Sequence, residues 1–584
     1  MSGKVIVSGV SIILVVGVAI GVVCVVNKTG NDPALAAHQK NVQSICSATE
    51  DQKLCQDTLG AAKPTNSSDP TAYLAAAVEA SAKSVILALN MSDQLKVEHD
   101  NGEPGIKMAL DDCKDLMQFA LDSLESSANL VRDNNVQAIH DQTPDFRNWL
   151  SAVISYQESC TEGFNNGTSG EEQVKKQLQT ESLDKMEKLT GITLDIVSSM
   201  VHLLQSFDLK LDLNPSSRRL LEVNELDNEG LPKWFSAADR KLLAKVGGGG
   251  GAAAGGGGGA PAPNAVVAKD GSGQFKTVKE AIDSYPKGFQ GRFIIYVKAG
   301  VYDEYITVPK TAINILMYGD GPTKSIITGH KNFVDGVKTM QTATFANVAP
   351  GFIAKSIAFE NTAGWEKHQA VAFRNQGDMS AFFDCAMHGY QDTLYVQANR
   401  QFYRNCEISG TIDFIFGASP TLIQNSKIIV RKPGPSQFNT VTADGTKQRN
   451  MATGIVLQNC QITAEKELFP VKDQLKSYLG RPWKEYAKTV VMESNIDDFL
   501  APEGWTPWEG NLYLNTLYYA EYANTGPGAN LNGRIKWKGY HPNINKNEAA
   551  QYTAEQFLKA GPTGRADDWL KATGIPYTIG FEKP

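Results

Sequence analysis

The sequence predicts an N-terminal all-α four-helix bundle joined to a C-terminal all-β right-handed parallel β-helix, and three observations predict it. First, the words Phe383-Asp384-Cys385, Tyr403-Arg404-Asn405-Cys406 and Ile423-Gln424-Asn425-Ser426 recur every 20 or 21 positions, each followed by a short apolar stretch. A period near 20 built from short β-rich segments marks coils that stack on one another. Second, the chain before residue 212 carries its apolar residues at helical spacing. Third, two glycine runs, Gly247 to Gly251 and Gly255 to Gly259, separate the two patterns with a segment that cannot pack a core. A chain of 584 residues is also too long for one compact domain.

Residues 1–34 hold the uncharged, mostly apolar run Val5 to Val26, long enough to span a bilayer as a helix. An uncleaved signal anchor and a cleaved signal peptide, with Ala19-Ile20-Gly21 as the cleavage site, both fit it. Either one sends the rest of the chain into the secretory pathway. The sequons at Asn27, Asn66, Asn90 and Asn166 agree with that route, and all precede residue 264.

Residues 35–211 read as the helical bundle. Ala75, Ala76, Val78, Ala82 and Val85 form one stripe; Leu110, Leu116 and Leu121 continue the pattern. Trp149 to Ile154 and Ile192 to Leu204 predict two further amphipathic helices. Four cysteines lie here, and in an oxidising compartment an even count reads as a disulfide frame. Nearness in sequence favours Cys46–Cys55, which leaves Cys113–Cys160 to tie two bundle helices. Zinc is the alternative, but no His lies at ligand spacing among them.

Residues 212–263 are a linker, too flexible to dock the bundle permanently. Ahead of its glycines stand two basic words, Arg218-Arg219-Leu220-Leu221 and Arg240-Lys241-Leu242-Leu243. Exposed basic pairs in a linker are protease sites, so a processing protease is an expected partner. Residues 264–584 carry the β pattern, with strands expected at Phe293–Val297, Ile313–Met317 and Lys427–Val430. A helix at Val278–Ser284 is expected to cap the open first coil.

The formal net charge is −7, with the acidic excess before residue 264 and a mildly basic remainder. That balance suits a polyanionic substrate. No Lys/Arg cluster is interleaved with aromatics, which argues against a nucleic-acid binder. No Cys/His metal cluster and no Gly-x-Ser-x-Gly elbow appears, so neither a metal or cofactor nor an α/β-hydrolase triad is expected.

The chemistry centres on Asp392, in Gly389-Tyr390-Gln391-Asp392-Thr393-Leu394-Tyr395, and Asp413, in Asp413-Phe414-Ile415-Phe416-Gly417. They lie 21 residues apart, one coil, and adjacent rungs are ~4.8 Å apart. Two stacked carboxylates cannot both ionise cheaply, so one keeps its proton, and the pair becomes a nucleophile plus a general acid/base. An arginine would fix which one stays ionised, and Arg481 in Leu479-Gly480-Arg481-Pro482-Trp483 is the candidate. Gln391 and Gln369 are candidate donors to a developing oxyanion.

These words resemble a family. Gly300-Val301-Tyr302-Asp303-Glu304, Gln369-Ala370-Val371-Ala372-Phe373-Arg374 and the three words above are similar, in order, to the five signature blocks of plant pectin methylesterases. The bundle, with its cysteines and Trp149-Leu150-Ser151-Ala152, resembles the pectin methylesterase inhibitor domain of the longer members. The apolar start and glycine linker are similar to pollen-type members. The resemblance implies that Asp413 attacks the methyl ester of galacturonate to form an acyl-enzyme, and that Asp392 protonates methanol and then activates water. It further implies oxyanion donation by Gln391 and Gln369, an Arg481 clamp on Asp413, a Trp483 sugar platform and a Thr339 substrate contact. It names methyl-esterified homogalacturonan as substrate, the cell wall as destination and a proteinaceous inhibitor as a further partner. Three positions depart from the pattern: Phe373 for Leu, Pro420 for Ala, and Ser426 where members commonly have Cys. The last leaves Cys385, Cys406 and Cys460 as an odd set in the β-helix.

Two other readings compete. The chain could act mainly as an inhibitor or wall-binding protein with a silent esterase half, or as a β-helix lyase or glycosidase. Intact signature blocks argue against the first, and the Gln-Asp, Asp and Arg set fits ester hydrolysis better than the second.

Overall fold

The computed structural model describes residues 33–62, 69–99, 102–165, 167–205, 207, 262–561 and 564–582. The apolar run Val5 to Val26, the sequons at Asn27, Asn66 and Asn166, the glycine linker and both basic words lie outside the described residues.

From residue 264 the chain winds as a parallel β-helix of three sheets with eleven, eight and seven strands, all paired parallel. One coil gives one strand to each sheet, as in Ser380–Phe383, Ala386–His388 and Leu394–Val396. The ladder Phe382, Tyr403, Ile423 and Leu457 stacks rung on rung. Its first steps are the predicted 21 and 20 residues; the next is 34, because longer loops, 431–438 and 445–453, flank that coil's third strand Asn439–Asp444. The asparagine and aspartate of the repeated words have a conformational cause. Asp384, Asn405, Asn425 and Asn459 occupy one corner in successive coils at φ 53°, 52°, 49° and 52°. Among non-glycine residues, Asn and Asp enter that left-handed region most readily.

The predicted strands Phe293–Val297 and Lys427–Val430 are present, and the third runs Ile315–Gly319. The capping helix is Val278–Asp283, started by a capping box between Thr277 and Glu280, with Val278, Ala281 and Ile282 buried on the first coil. Pro420 opens the strand Pro420–Gln424, the position where a missing N–H is tolerated. Cys385, Cys406 and Cys460 are free and buried.

The helical region has more helices than the four expected. Pro70–Glu98, Pro104–Asp133, Thr143–Glu162 and the run Ser169–Ser198, interrupted by a π turn at Gln179–Leu183, are the longest. Pro33–Cys46 and Gln52–Ala61 add a hairpin closed by Cys46–Cys55, and Cys113–Cys160 ties two long helices. Leu110, Leu116 and Leu121 are buried as expected. The first stripe is corrected at one position: Ala75 is exposed, while Ala76, Val78, Ala82 and Val85 pack on the core together with Tyr73, Leu74 and Ala77. Alanines fit either side of a helix, so they fix its phase poorly. Ile192 to Leu204 is not one helix but two, broken at Ser199. Asn90 is exposed on its helix, while Ser92 of the same sequon is buried and donates to the Ala88 carbonyl.

Candidate active site

The seven-stranded sheet carries the site. Asp392 and Asp413 sit at equivalent corners just before the paired strands Leu394–Val396 and Ile415–Gly417. Both have left-handed backbones, φ 63° and 50°, a conformation often concentrated at functional sites. Gly417 ends the second strand at φ 136°, and a Cβ there would collide with the Val396 carbonyl, so only glycine lets the two rungs approach.

Asp413 is 5 % exposed and fully engaged. Arg481 Nε donates to Oδ1 at 2.9 Å, and its second terminal nitrogen donates to Oδ2 at 2.6 Å, a bidentate clamp. The Thr440 hydroxyl donates to Oδ1 at 2.6 Å and accepts the Asp413 backbone N–H at 2.8 Å. The guanidinium lies 4.2 Å from the Trp508 ring centroid. Burial pushes the Asp392 carboxyl well above the usual carboxylate range; the Asp413 charge adds to this and Arg481 opposes it. One member of the pair is thus held by an arginine, and burial favours the protonated form of the other.

Gln369, Gln391, Thr339 and Trp483 line the same cavity of about 260 Å³, so every predicted site residue converges there. Gln391 Oε1 is buried with no hydrogen-bond partner among the described residues. Tyr395 stacks on Phe416 at 4.3 Å, and Trp483 meets Phe416 edge-on at 6.0 Å. A Cβ on Gly445 would come within 2.9 Å of the Trp483 ring, so that glycine lets the indole settle. The sequence reading missed Thr440 and Trp508. Thr440 looks like any strand threonine, and Trp508 lies 27 residues beyond Arg481 in a loop with no repeat.

The larger omission is the roof. Asp112, Ser159, Glu162, Gly163 and Asn165 of the bundle line the same cavity. Helix Thr143–Glu162 presents Asp145, Asn148, Ser151, Ser155, Ser159 and Glu162 at intervals of three or four, one face of a helix. Asn148 Nδ2 donates to Asn399 Oδ1 at 2.9 Å, and Ser155 Oγ to the Gln397 carbonyl at 2.5 Å. Ser159 Oγ lies 2.8 Å from the Tyr395 hydroxyl. Arg400 pairs with Asp145 at 2.5 Å, Lys338 with Glu171 at 2.6 Å, and Lys484 with Glu158 at 3.1 Å and with Glu162. Ala398, Ala418 and Met451 of the β-helix join the apolar core of the bundle. The expectation of a loosely held bundle is therefore corrected. The polar face of helix Thr143–Glu162 docks the bundle on the β-helix.

Comparison with known proteins covers both halves. Residues 264–561 match the Pectinesterase family model, and residues 40–196 match the Plant invertase/pectin methylesterase inhibitor model. The Arabidopsis thaliana protein named Probable pectinesterase/pectinesterase inhibitor 21 is 41% identical over 97% of this chain and 80% of its own length. Pectinesterase 4 of the same plant is 39% identical, with 100% of each chain covered. The solved pectin methylesterase from carrot is 49% identical, with a TM-score of 0.53, over 55% of this chain and 99% of its own.

Proposed function

The chain belongs to the pectinesterase family, a pectin methylesterase with an inhibitor-like region ahead of the enzyme, and we propose that Asp413 is its nucleophile. The observation that carries this is the bidentate Arg481–Asp413 clamp beside a carboxyl that burial pushes toward its protonated form. Asp413 attacks the methyl-ester carbonyl of a galacturonate, and Gln391 and Gln369 donate to the oxyanion. Asp392 gives its proton to the departing methanol, leaving an acyl-enzyme. The same carboxylate then takes a proton from water, which attacks the acyl carbon and frees Asp413. Trp483 and Thr339 hold the sugar.

We further propose that the docked bundle keeps this enzyme inactive until the linker is cut at Arg218-Arg219 or at Arg240-Lys241. Ser159 and Glu162 stand in the cavity where a galacturonate must lie, which supports autoinhibition. The bundle-less enzyme would act in the cell wall after passage through the secretory pathway, with pectin as its partner there. The test is methanol released from methyl-esterified pectin by the linker-cleaved protein, with Asp413→Ala as control. Release by the native protein alone supports the assignment; equal release by both removes Asp413 from the reaction.

A further inference from the structure

We propose that Lys338 and Lys484 are subsites for free uronate carboxylates on either side of the scissile ester, and that the bundle fills them with carboxylates of its own. The ion pairs across the interface are of two kinds. Arg400 has a partner within the β-helix, since Asp378 accepts from its Nε at 3.0 Å and from a terminal nitrogen at 2.6 Å. It stays neutralised when the bundle leaves. Lys338 and Lys484 differ. The Lys338 ammonium meets Glu171 and, at 3.4 Å, Asn165 Oδ1; the other carboxylates whose charge acts on it are Asp112 and Glu103. For Lys484 they are Glu158 and Glu162. Every one belongs to the bundle. In the docked protein the Lys338 side chain is 1 % exposed. Two cations whose charge partners among the described residues are all carried by the bundle are poorly explained as supports of the β-helix itself.

Their place in the sheet says what else they serve. In the order of the seven-stranded sheet, Asp392 and Asp413 precede two neighbouring inner strands. Lys338 precedes Phe345–Asn347, two strands to one side of Leu394–Val396. Lys484 follows Ser477–Gly480, two strands to the other side of Ile415–Gly417. Two strand spacings are ~10 Å. Lys338 lines the cavity that holds Asp413, and the Lys484 ammonium lies 5.3 Å from the centroid of Trp483. Trp483 lines that same cavity, so a polyuronate running from Lys338 past the carboxylate pair to Trp483 meets one ammonium near each end. The ligand class is an uncapped galacturonate, and resting on the esterase assignment, the consequence is a preference for esters next to acids already freed. Such an enzyme lengthens runs of free acid rather than scattering them.

The experiment uses the β-helix unit, which has its own core and which the carrot enzyme comprises almost alone. Native, Lys338→Gln, Lys484→Gln and the double variant are compared for kcat/KM on fully and on half methyl-esterified pectin, and for calorimetric binding of fully de-esterified oligogalacturonate. Each single change is expected to lower kcat/KM on half-esterified pectin about tenfold more than on fully esterified pectin, the scale of one charged hydrogen bond. Oligogalacturonate binding should weaken in step, and Lys338→Arg should recover most of the loss. Equal losses on both pectins, with oligogalacturonate binding unchanged, would overturn the subsites. If the native unit released no methanol, the esterase assignment would fail instead, and the binding data would still decide for or against the lysines.

Discussion

The β-helix and the bundle both bury carboxylates, but they neutralise them differently. Asp413 has its arginine on its own sheet, 68 residues along the same half of the chain, with a threonine hydroxyl besides. Asp145, Glu158, Glu162 and Glu171 meet cations contributed by the other half. The Asp413–Arg481 pair is thus complete without the bundle, whereas Glu158, Glu162 and Glu171 and the lysines they meet are balanced only while the halves stay together. Chemistry and docking should therefore come apart under mutation.

The largest effect expected is on chemistry alone. Asp413→Ala in the linker-cleaved enzyme should lower methanol release by about 10⁴-fold or more, while leaving the affinity of the bundle, measured by calorimetry, within a few-fold. Asp392→Asn keeps the shape but cannot carry a proton, and should cost about 10²–10⁴-fold in kcat. It also removes a carboxyl that is hard to ionise in place. A raised pKa means that the folded state keeps a proton the unfolded chain gives up above about pH 4, so stability is lost as pH rises from there, and this variant should melt higher than the native protein above that pH. Arg481→Lys keeps the charge and loses the fork, with an expected loss on the order of 10–100-fold in kcat/KM.

The interface should break on the other side. Glu171→Gln leaves Lys338 buried without its carboxylate, and loss of one partner of a buried pair costs about 3–5 kcal/mol. Bundle affinity should fall on the order of 10²–10⁴-fold, with the kcat of the separated enzyme unchanged. The interface should also respond to pH. Burial pushes Asp112 up to about 7, opposed by its hydrogen bond from Gln341 of the β-helix. An ordinary solvated carboxylate titrates near 4. Between those values the docked state holds the extra proton, so docking is favoured in acid and weakens as pH rises toward 7, by no more than about tenfold per unit. Asp112→Asn should flatten that slope in a calorimetric titration series.

The contrast also explains what could be read from the chain. In a β-helix the residues that meet in space lie one coil apart, so Asp392 and Asp413 and the Asn and Asp corners announced themselves as a repeat, and the strands near Phe293 and Lys427 as short apolar runs. Cys46–Cys55 and Cys113–Cys160 followed from closeness and count. Contacts made once across long distances leave no period. Ser155 meets Gln397 across 242 positions and Lys338 meets Glu171 across 167, and neither word looks unusual alone. One signal was present, a polar stripe from Asp145 to Glu162 at helical spacing on a helix whose other face is apolar. It resembles a solvent face and turns out to be the docking face.

The most direct test is methanol release from methyl-esterified pectin, followed in one sample of the intact chain before and after proteolysis confined to residues 212–263. A covered site predicts little release before the cut, and a large rise once the cleaved bundle is diluted away. An intact chain as active as the separated enzyme would contradict it, because a galacturonate would then reach Asp413 past Ser159 and Glu162.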